Sequence, residues 1–280
     1  MQHVLGLDHV IILVRDLDDA ETRMARLGFR PTPRGYHSAH MGTANATVML
    51  RNDTYFETLT VLRPTPANAD SRAVLALREG PAGLALKTDD AEGAAVEFMA
   101  AGIAAGDAID FARPVELPGG ARDARFTVAR VRSDASPGTS LFVCQQHTPD
   151  VVWRKDFLEQ PNGASGLTEL IGVADDLAAI ERAYGIIFGD RVRRSEDAVT
   201  IGADLATISF LTPAALADRF GSAGVSVSTP TPRLAGLRFA VDDLDRAKSV
   251  LRRNDVSWTA SGSSILVAPQ EACGTLIVFA

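Results

Sequence analysis

Cysteine is scarce in this 280-residue chain. Cys144 and Cys273 are the only two, too few for a disulfide framework, and each falls near the end of a strand-like run where a buried thiol is its simplest role. No apolar run approaches the ~18 to 20 residues that span a bilayer, and no basic-plus-apolar leader opens the sequence, so a cytoplasmic protein without a membrane partner is expected. Positive charge is also short. With 28 Lys and Arg against 35 Asp and Glu the formal net charge is −7, which opposes counterion displacement from a phosphate backbone and removes nucleic acid from the expected partners. A Gly-rich phosphate loop, a Cys-x-x-Cys pair, a nucleophile elbow and a His-Glu-x-x-His motif are all missing, so the chemistries that depend on them are set aside. The 46% hydrophobic and 22% charged content is enough to bury one large core or two of ordinary size.

What is present is a repeat. An apolar strand running into an acidic turn and a helix occurs four times: LDHVIILVRDL (Leu7 to Leu17), AGLALKTDDA (Ala82 to Ala91), LTELIGVADDL (Leu167 to Leu177) and AGLRFAVDDL (Ala235 to Leu244). A copied supersecondary unit allows positions to be compared within one chain. Aligned on Asp16, Asp90, Asp176 and Asp243, the strands place His9, Gly83, Glu169 and Gly236 at one equivalent position. The even copies share Ala-Gly-Leu and similar last strands, GTSLFV (Gly138 to Val143) and GTLIVF (Gly274 to Phe279), so the unit reads as a two-module pair that was duplicated. Each module reads as βαβββ, an α+β arrangement with modules 6–62, 82–146, 166–212 and 234–280. The helices are expected near 19–27, 92–101, 177–187 and 244–253. Linkers rich in proline follow: 63–80 with a short helix near Ser71 to Leu77, 147–165, and 212–233. The second linker divides an N-terminal unit, 1–146, from a C-terminal unit, 166–280. Within module one, Gly42-Thr43-Ala44-Asn45 is expected to form a turn. Because an aspartate recurs before the helix in all four copies, those aspartates are read as helix caps.

The residues Leu7-Asp8-His9-Val10, Gly28-Phe29, the run from His37 and His40 to Gly42-Thr43-Ala44-Asn45, Tyr55-Phe56-Glu57 and Pro161-Asn162-Gly163-Ala164 resemble the vicinal oxygen chelate superfamily, in its glyoxalase-like branch. The resemblance covers nearly the whole chain and implies two paired, barrel-like domains. It also implies a divalent metal that binds adjacent oxygens of a substrate inside the paired modules. His9 and Glu57 match two of the family's ligand positions, with Glu57 the expected catalytic carboxylate. The matching positions of module two are Gly83 and Phe142, which cannot ligate. His40 is therefore the expected third ligand, with His37, Gln146 and His147 as alternatives. His37, Asn45, Phe142, Gln146 and Trp153 are expected to contact substrate, while Trp153 and Asn162 are candidates to close the pocket mouth.

The expected function is a metal-dependent enzyme with lyase, isomerase or extradiol-type dioxygenase chemistry on a small, vicinally oxygenated metabolite. Zinc, manganese, nickel or ferrous iron would each suit a nitrogen-plus-carboxylate set. The competing expectation is a metal-free binding protein of the drug-resistance type, favoured by Gly83 and Phe142. Only Glu169 among the equivalent C-terminal positions could ligate, so that half is expected to be a scaffold, a metal-free pocket or an imitation of a dimer partner. Both a monomer and a homodimer are compatible with four modules.

Overall fold

In a computed structural model, residues 1–117, 119–221 and 230–280 are described. The first module comprises β1 (Gly6–Leu13), α1 (Leu17–Arg26), β2 (Gly35–Tyr36), β3 (Thr43–Met49) and β4 (Tyr55–Val61). After α2 (Ala69–Leu77), the second comprises β5 (Gly80–Lys87), α3 (Ala91–Ala100), β6 (Ile109–Val115), β7 (Arg122–Arg130) and β8 (Ser140–Gln146). A short α4 (Pro149–Val152) leads to β9 (Ala164–Val173), α5 (Leu177–Phe188), β10 (Val192–Arg194), β11 (Ala198–Ala203) and β12 (Ala206–Leu211). Then come α6 (Pro213–Phe220), β13 (Arg233–Val241), α7 (Leu244–Arg253), β14 (Thr259–Ser261), β15 (Ser264–Val267) and β16 (Leu276–Phe279). The fold is α+β, built from two eight-stranded sheets of one topology: β2-β3-β4-β1-β5-β8-β7-β6 and β10-β11-β12-β9-β13-β16-β15-β14.

The repeated aspartates cap helices. Asp16 accepts from the backbone N–H groups of Asp18 and Asp19, Asp90 from Gly93, Asp176 from Ala179 and Asp243 from Asp245, each satisfying a donor that has no partner within its helix. Gly28 follows α1 at φ +80°, and a Cβ there would meet Val250 at 2.5 Å and Asn162 at 3.0 Å. Asn162 is fully buried and donates to the Leu27 carbonyl at 3.0 Å. It fastens the 147–165 segment to the end of α1 and is not among the residues that line the N-terminal cavity.

Two local expectations change. Thr43 to Asn45 is not a turn but the start of β3, because the chain reverses earlier, through Ser38 to Gly42, where Gly42 N–H donates to Ser38 O and Gly42 takes φ +64°. The 212–233 segment is more than a linker: Thr212 accepts from Ala215 N–H and Pro213 opens α6, a start signal that was present in the sequence. Residues 222–229 of that segment lie outside the described residues.

Along β1, Val10 and Ile12 enter the main core while His9, Ile11 and Leu13 face a cavity, the alternation a pleated strand imposes. The main core joins both halves. It includes Met24, Phe56 and Leu84 from the first half and Tyr184, Phe210 and Phe239 from the second. At its centre Phe29 lies 5.0 Å from Phe56, 5.1 Å from Phe239 and 5.8 Å from Phe279.

The two concave faces are finished differently. In the C-terminal half, α6 inserts Leu216 and Phe220 among Ile171, Val173, Leu211, Leu266, Leu276 and Val278. Arg219 of α6 also makes a two-pronged ion pair with Glu169, at 2.8 and 2.5 Å. In the N-terminal half α2 buries none of its residues; Val74 and Leu75 only rest on Leu13, Leu59 and Ala82 at one edge. One face is plugged and the other stays open.

Candidate active site

The open face encloses a cavity with about 970 Å³ of empty space, its mouth included. Strand register explains how chemistry collects there. Across the β1–β5 seam His9 faces Ala85 and Ile11 faces Gly83, a symmetric pairing that makes His9 and Gly83 counterparts. Glu57 lies beside Ile11 on β4, and Phe142 beside Ala85 on β8, so these two are counterparts as well. The polar pair is therefore confined to module one.

A bulge aligns the Asp-His dipeptide. Register shifts between Leu7 and His9, so Asp8 is an extra residue whose side chain is not forced to the opposite face from His9. Its carboxylate accepts from His9 Nδ1 at 2.6 Å and from Gln146 Nε2 at 3.1 and 2.9 Å. An ionised carboxylate only accepts, so Nδ1 is the donor in this contact, and in the neutral ring that tautomer leaves the lone pair on Nε2. The imidazole stacks on Tyr55, with centroids 4.3 Å apart, and meets the edge of Phe142 at 5.8 Å. Trp153 packs edge-on against Tyr55 at 5.4 Å. Both Trp153 and Gln146 line a separate shallow depression with Asp8 and Pro149. They buttress the His9 assembly from behind and are not among the lining of the cavity.

Glu57 is 6% exposed and lines the cavity. Asn45 Nδ2 donates to its carboxylate, while Asn45 Oδ1 is buried with no partner. His37 also lines the cavity, hydrogen-bonded through Nδ1 to Thr43 Oγ1 at 2.8 Å. Burial lowers its pKa, Glu57 opposing and Arg113 adding to the shift, so the ring is neutral at physiological pH. Burial, then the charges of Asp8 and Glu57, push the Cys144 thiol well up. Burial and Asp8 do the same to the Tyr55 phenol. The cavity thus holds a carboxylate, two imidazoles and groups that stay protonated.

His9, His37, Asn45, Glu57 and Phe142 are brought together as expected; His40 is not. It lies exposed on the 38–42 turn, outside the cavity lining, because β3 begins only at Thr43 and carries the chain inward after the turn. Asp8, Tyr55, Phe111, Arg113, Phe126 and Arg130 are cavity or supporting residues that the sequence reading missed. Of these, Asp8 and Tyr55 had a signal, their places beside His9 and Glu57 in the runs Leu7-Asp8-His9-Val10 and Tyr55-Phe56-Glu57. The arginines come from outer strands whose register no local pattern discloses.

The donor set fits a divalent cation in part. His9 offers Nε2, oriented by a carboxylate behind it as metal-bound histidines commonly are, and Glu57 has lone pairs beyond its bond from Asn45. No group of three or more His, Cys, Asp or Glu suited to a metal is found among the described residues. Any metal here would be held by two side chains and would take its other ligands from substrate or water.

A paired βαβββ fold with one such cavity defines a vicinal oxygen chelate protein. The family model described as "Glyoxalase-like domain" matches residues 7–187, well over half the sequence, and the chain belongs to this family. Among solved structures, a hypothetical protein from Staphylococcus aureus superposes with TM-score 0.68 at 11% identity, covering 98% of each chain. A mutant 4-hydroxymandelate synthase from Streptomyces coelicolor matches at TM-score 0.64 and 15% identity, over 99% of this chain and 92% of that one. An Mn(II)-bound glyoxalase from Novosphingobium aromaticivorans matches at TM-score 0.59 and 13% identity, over 99% and 82%. At these identities the likeness is one of fold. No significant match is found among curated protein sequences. No helix among the described residues is long and apolar enough to cross a membrane.

Proposed function

We propose that the N-terminal cavity is the active site of an enzyme that moves a proton on a small, vicinally oxygenated metabolite. The observation that carries this reading is Glu57: a carboxylate in an otherwise uncharged, largely buried strand, 6% exposed, with Asn45 as its one hydrogen-bond partner among the described residues. Burying such a group is costly unless it does something. Glu57 takes the proton from the carbon or hydroxyl adjoining the substrate carbonyl. Asn45 holds the carboxylate in place. His9, with its proton fixed on Nδ1 by Asp8, presents Nε2 as a base or ligand, and Tyr55 fixes the plane of the ring. A zinc, manganese, nickel or ferrous ion at His9 and Glu57 would polarise the paired substrate oxygens. Isomerase, lyase or dioxygenase outcomes would then differ in the substrate and the metal.

Metal content of protein purified without an affinity tag, with His9→Ala and Glu57→Gln variants beside it, tests the ligand assignment. Near-stoichiometric metal lost in both variants supports it. Metal retained in both variants, or absent after reconstitution with all four ions, removes the metal-dependent form. A second reading, metal-free sequestration of a small molecule, draws support from Gly83 and Phe142, which leave module two without a ligand. It predicts tight binding without turnover, unchanged in Glu57→Gln.

A further inference from the structure

We infer that the substrate of this cavity carries an anionic group, a carboxylate or phosphate, received by Arg113, with Arg130 adding positive charge farther along the same wall. The inference rests on the cavity's being the substrate site and adds the class of molecule it takes. Most arginines of this chain are engaged by protein acceptors: Arg34 by Glu21, Arg51 by Asp242, Arg219 by Glu169 and Arg78 by the Glu79 and Pro81 carbonyls. Arg113 and Arg130 line the cavity, and among the described residues neither guanidinium has a hydrogen bond or ion pair to protein. The opposite charge felt most by Arg130 is Asp70 of α2.

Their placement is built by the fold. The sheet curls until its edge strands β2 and β6 come together, and Arg113 sits at that seam. Gly35 of β2 makes the room: a Cβ there would lie 2.7 Å from Arg113 Nη1 and 2.6 Å from Asn45 Oδ1. Asn45 in turn holds Glu57, so one glycine serves both the arginine and the carboxylate. Arg130 lies with its guanidinium 5.8 Å from the Phe142 ring centroid, the ring that also abuts His9. Between them, Phe111 stacks on Phe126 at 4.9 Å and supplies an apolar wall.

The charged residues of the lining are thus two arginines and one glutamate, beside the imidazoles of His9 and His37. Two positive charges in a concave, aromatic-walled space attract and orient an anion, and a planar guanidinium fork matches carboxylate or phosphate oxygens in pairs. A substrate anchored there by its anion and packed by its body on Phe126 and Phe142 would present its remaining oxygens to His9 and Glu57. An oxo or hydroxy acid, or the phosphate ester of a hydroxyketone, has that layout.

Calorimetric titration of the full-length protein with benzoylformate and methyl benzoylformate, and with phenyl phosphate and phenol, tests this. Each anion is expected to bind at least about tenfold more tightly than its neutral counterpart, and whichever anion is preferred identifies carboxylate or phosphate. In Arg113→Gln/Arg130→Gln the preference is expected to fall to about threefold or less. Gly35→Ala, which displaces Arg113 without changing charge, is expected to weaken it as well. Equal binding of acid and ester, no binding of either anion, or a preference that survives the double substitution would overturn the inference. Glu57→Gln separates the two claims. The anion preference is expected to persist in it, so loss of chemistry with retained preference bears on the proposed proton transfer, and the converse bears on the arginines.

Discussion

Asp8 is the residue whose removal tests the local chemistry most sharply. It is 2% exposed and accepts from His9 Nδ1 at 2.6 Å and from Gln146 Nε2 at 3.1 and 2.9 Å. Asp8→Ala leaves the His9 N–H, which is buried, and the Gln146 amide, which is half-buried, without their acceptor. An unsatisfied buried donor costs about 1–3 kcal/mol, and the wetter Gln146 falls at the low end, so about 2–4 kcal/mol of stability should go. Asp8→Asn is different. Its oxygen can stay on His9 while its amide faces Gln146, whose Oε1 is at present buried and unpartnered; an amide flip turns a donor–donor clash into a hydrogen bond. The cost should then be about 1 kcal/mol. Both substitutions replace a charge-assisted bond to His9, so ligand or metal affinity should drop about 10- to 100-fold. Urea unfolding gives the stability change from the midpoint at unchanged slope, and nitrogen-15 histidine spectra give the tautomer. An Asp8→Ala protein within about 0.5 kcal/mol of wild type, with His9 still protonated on Nδ1 alone, would refute the reasoning.

Further outcomes follow from the same structure. Burial lowers the pKa of His37 from 6.5, so the unfolded chain binds the proton more readily. Stability from this group is full above pH 6.5 and is lost as pH falls below it; urea midpoints between about pH 7 and 5 should therefore fall less in His37→Gln than in wild type. Burial pushes the Cys273 thiol up to about 12 and Cys144 well above its usual value. A thiol-reactive chromophore at pH 8 should accordingly find almost no reactive cysteine in the native protein and two after denaturation. Phe29 is 2% exposed amid aromatic rings from both halves, so Phe29→Ala should cost about 3–5 kcal/mol. The spectroscopic signals of Trp153, in the linker and packed on Tyr55 of the first half, and of Trp258, in the second half, should shift together if the shared core couples them.

Much of the fold was readable because it is written four times. The Asp16, Asp90, Asp176 and Asp243 caps and the strands before them gave the modules; aligning on the caps made His9 the counterpart of Gly83, and counting along the last strand from Gly138 made Phe142 the counterpart of Glu57, as the registers do. Local rules failed where geometry depends on distant strands. Asn45 sits beside a glycine and reads as a turn residue, yet pairing with β2 and β4 makes it part of a strand and a partner of Glu57. His40 is only three residues from His37 in sequence, but the turn at Gly42 leaves it outside. Arg113 and Arg130 carry no local mark at all, since their role exists only after the sheet curls and β6 meets β2. The closing of the C-terminal face by α6 was hidden for a similar reason: the Thr212-Pro213 start was visible, but not the surface its apolar side would fill.

The central claim is that proton-transfer chemistry resides at Glu57 and not at Glu169, the C-terminal counterpart of His9 and the carboxylate that faces the other sheet's filled side, where it is paired to Arg219. Incubation of a panel of oxo acids, hydroxyketones and their phosphate esters in heavy water, with carbon-bound hydrogen exchange followed by NMR, tests it directly. The account predicts exchange of at least one compound by the wild type and by Glu169→Gln, and none above background by a folded Glu57→Gln protein. Exchange that survives Glu57→Gln, or that vanishes in Glu169→Gln alone, would contradict it.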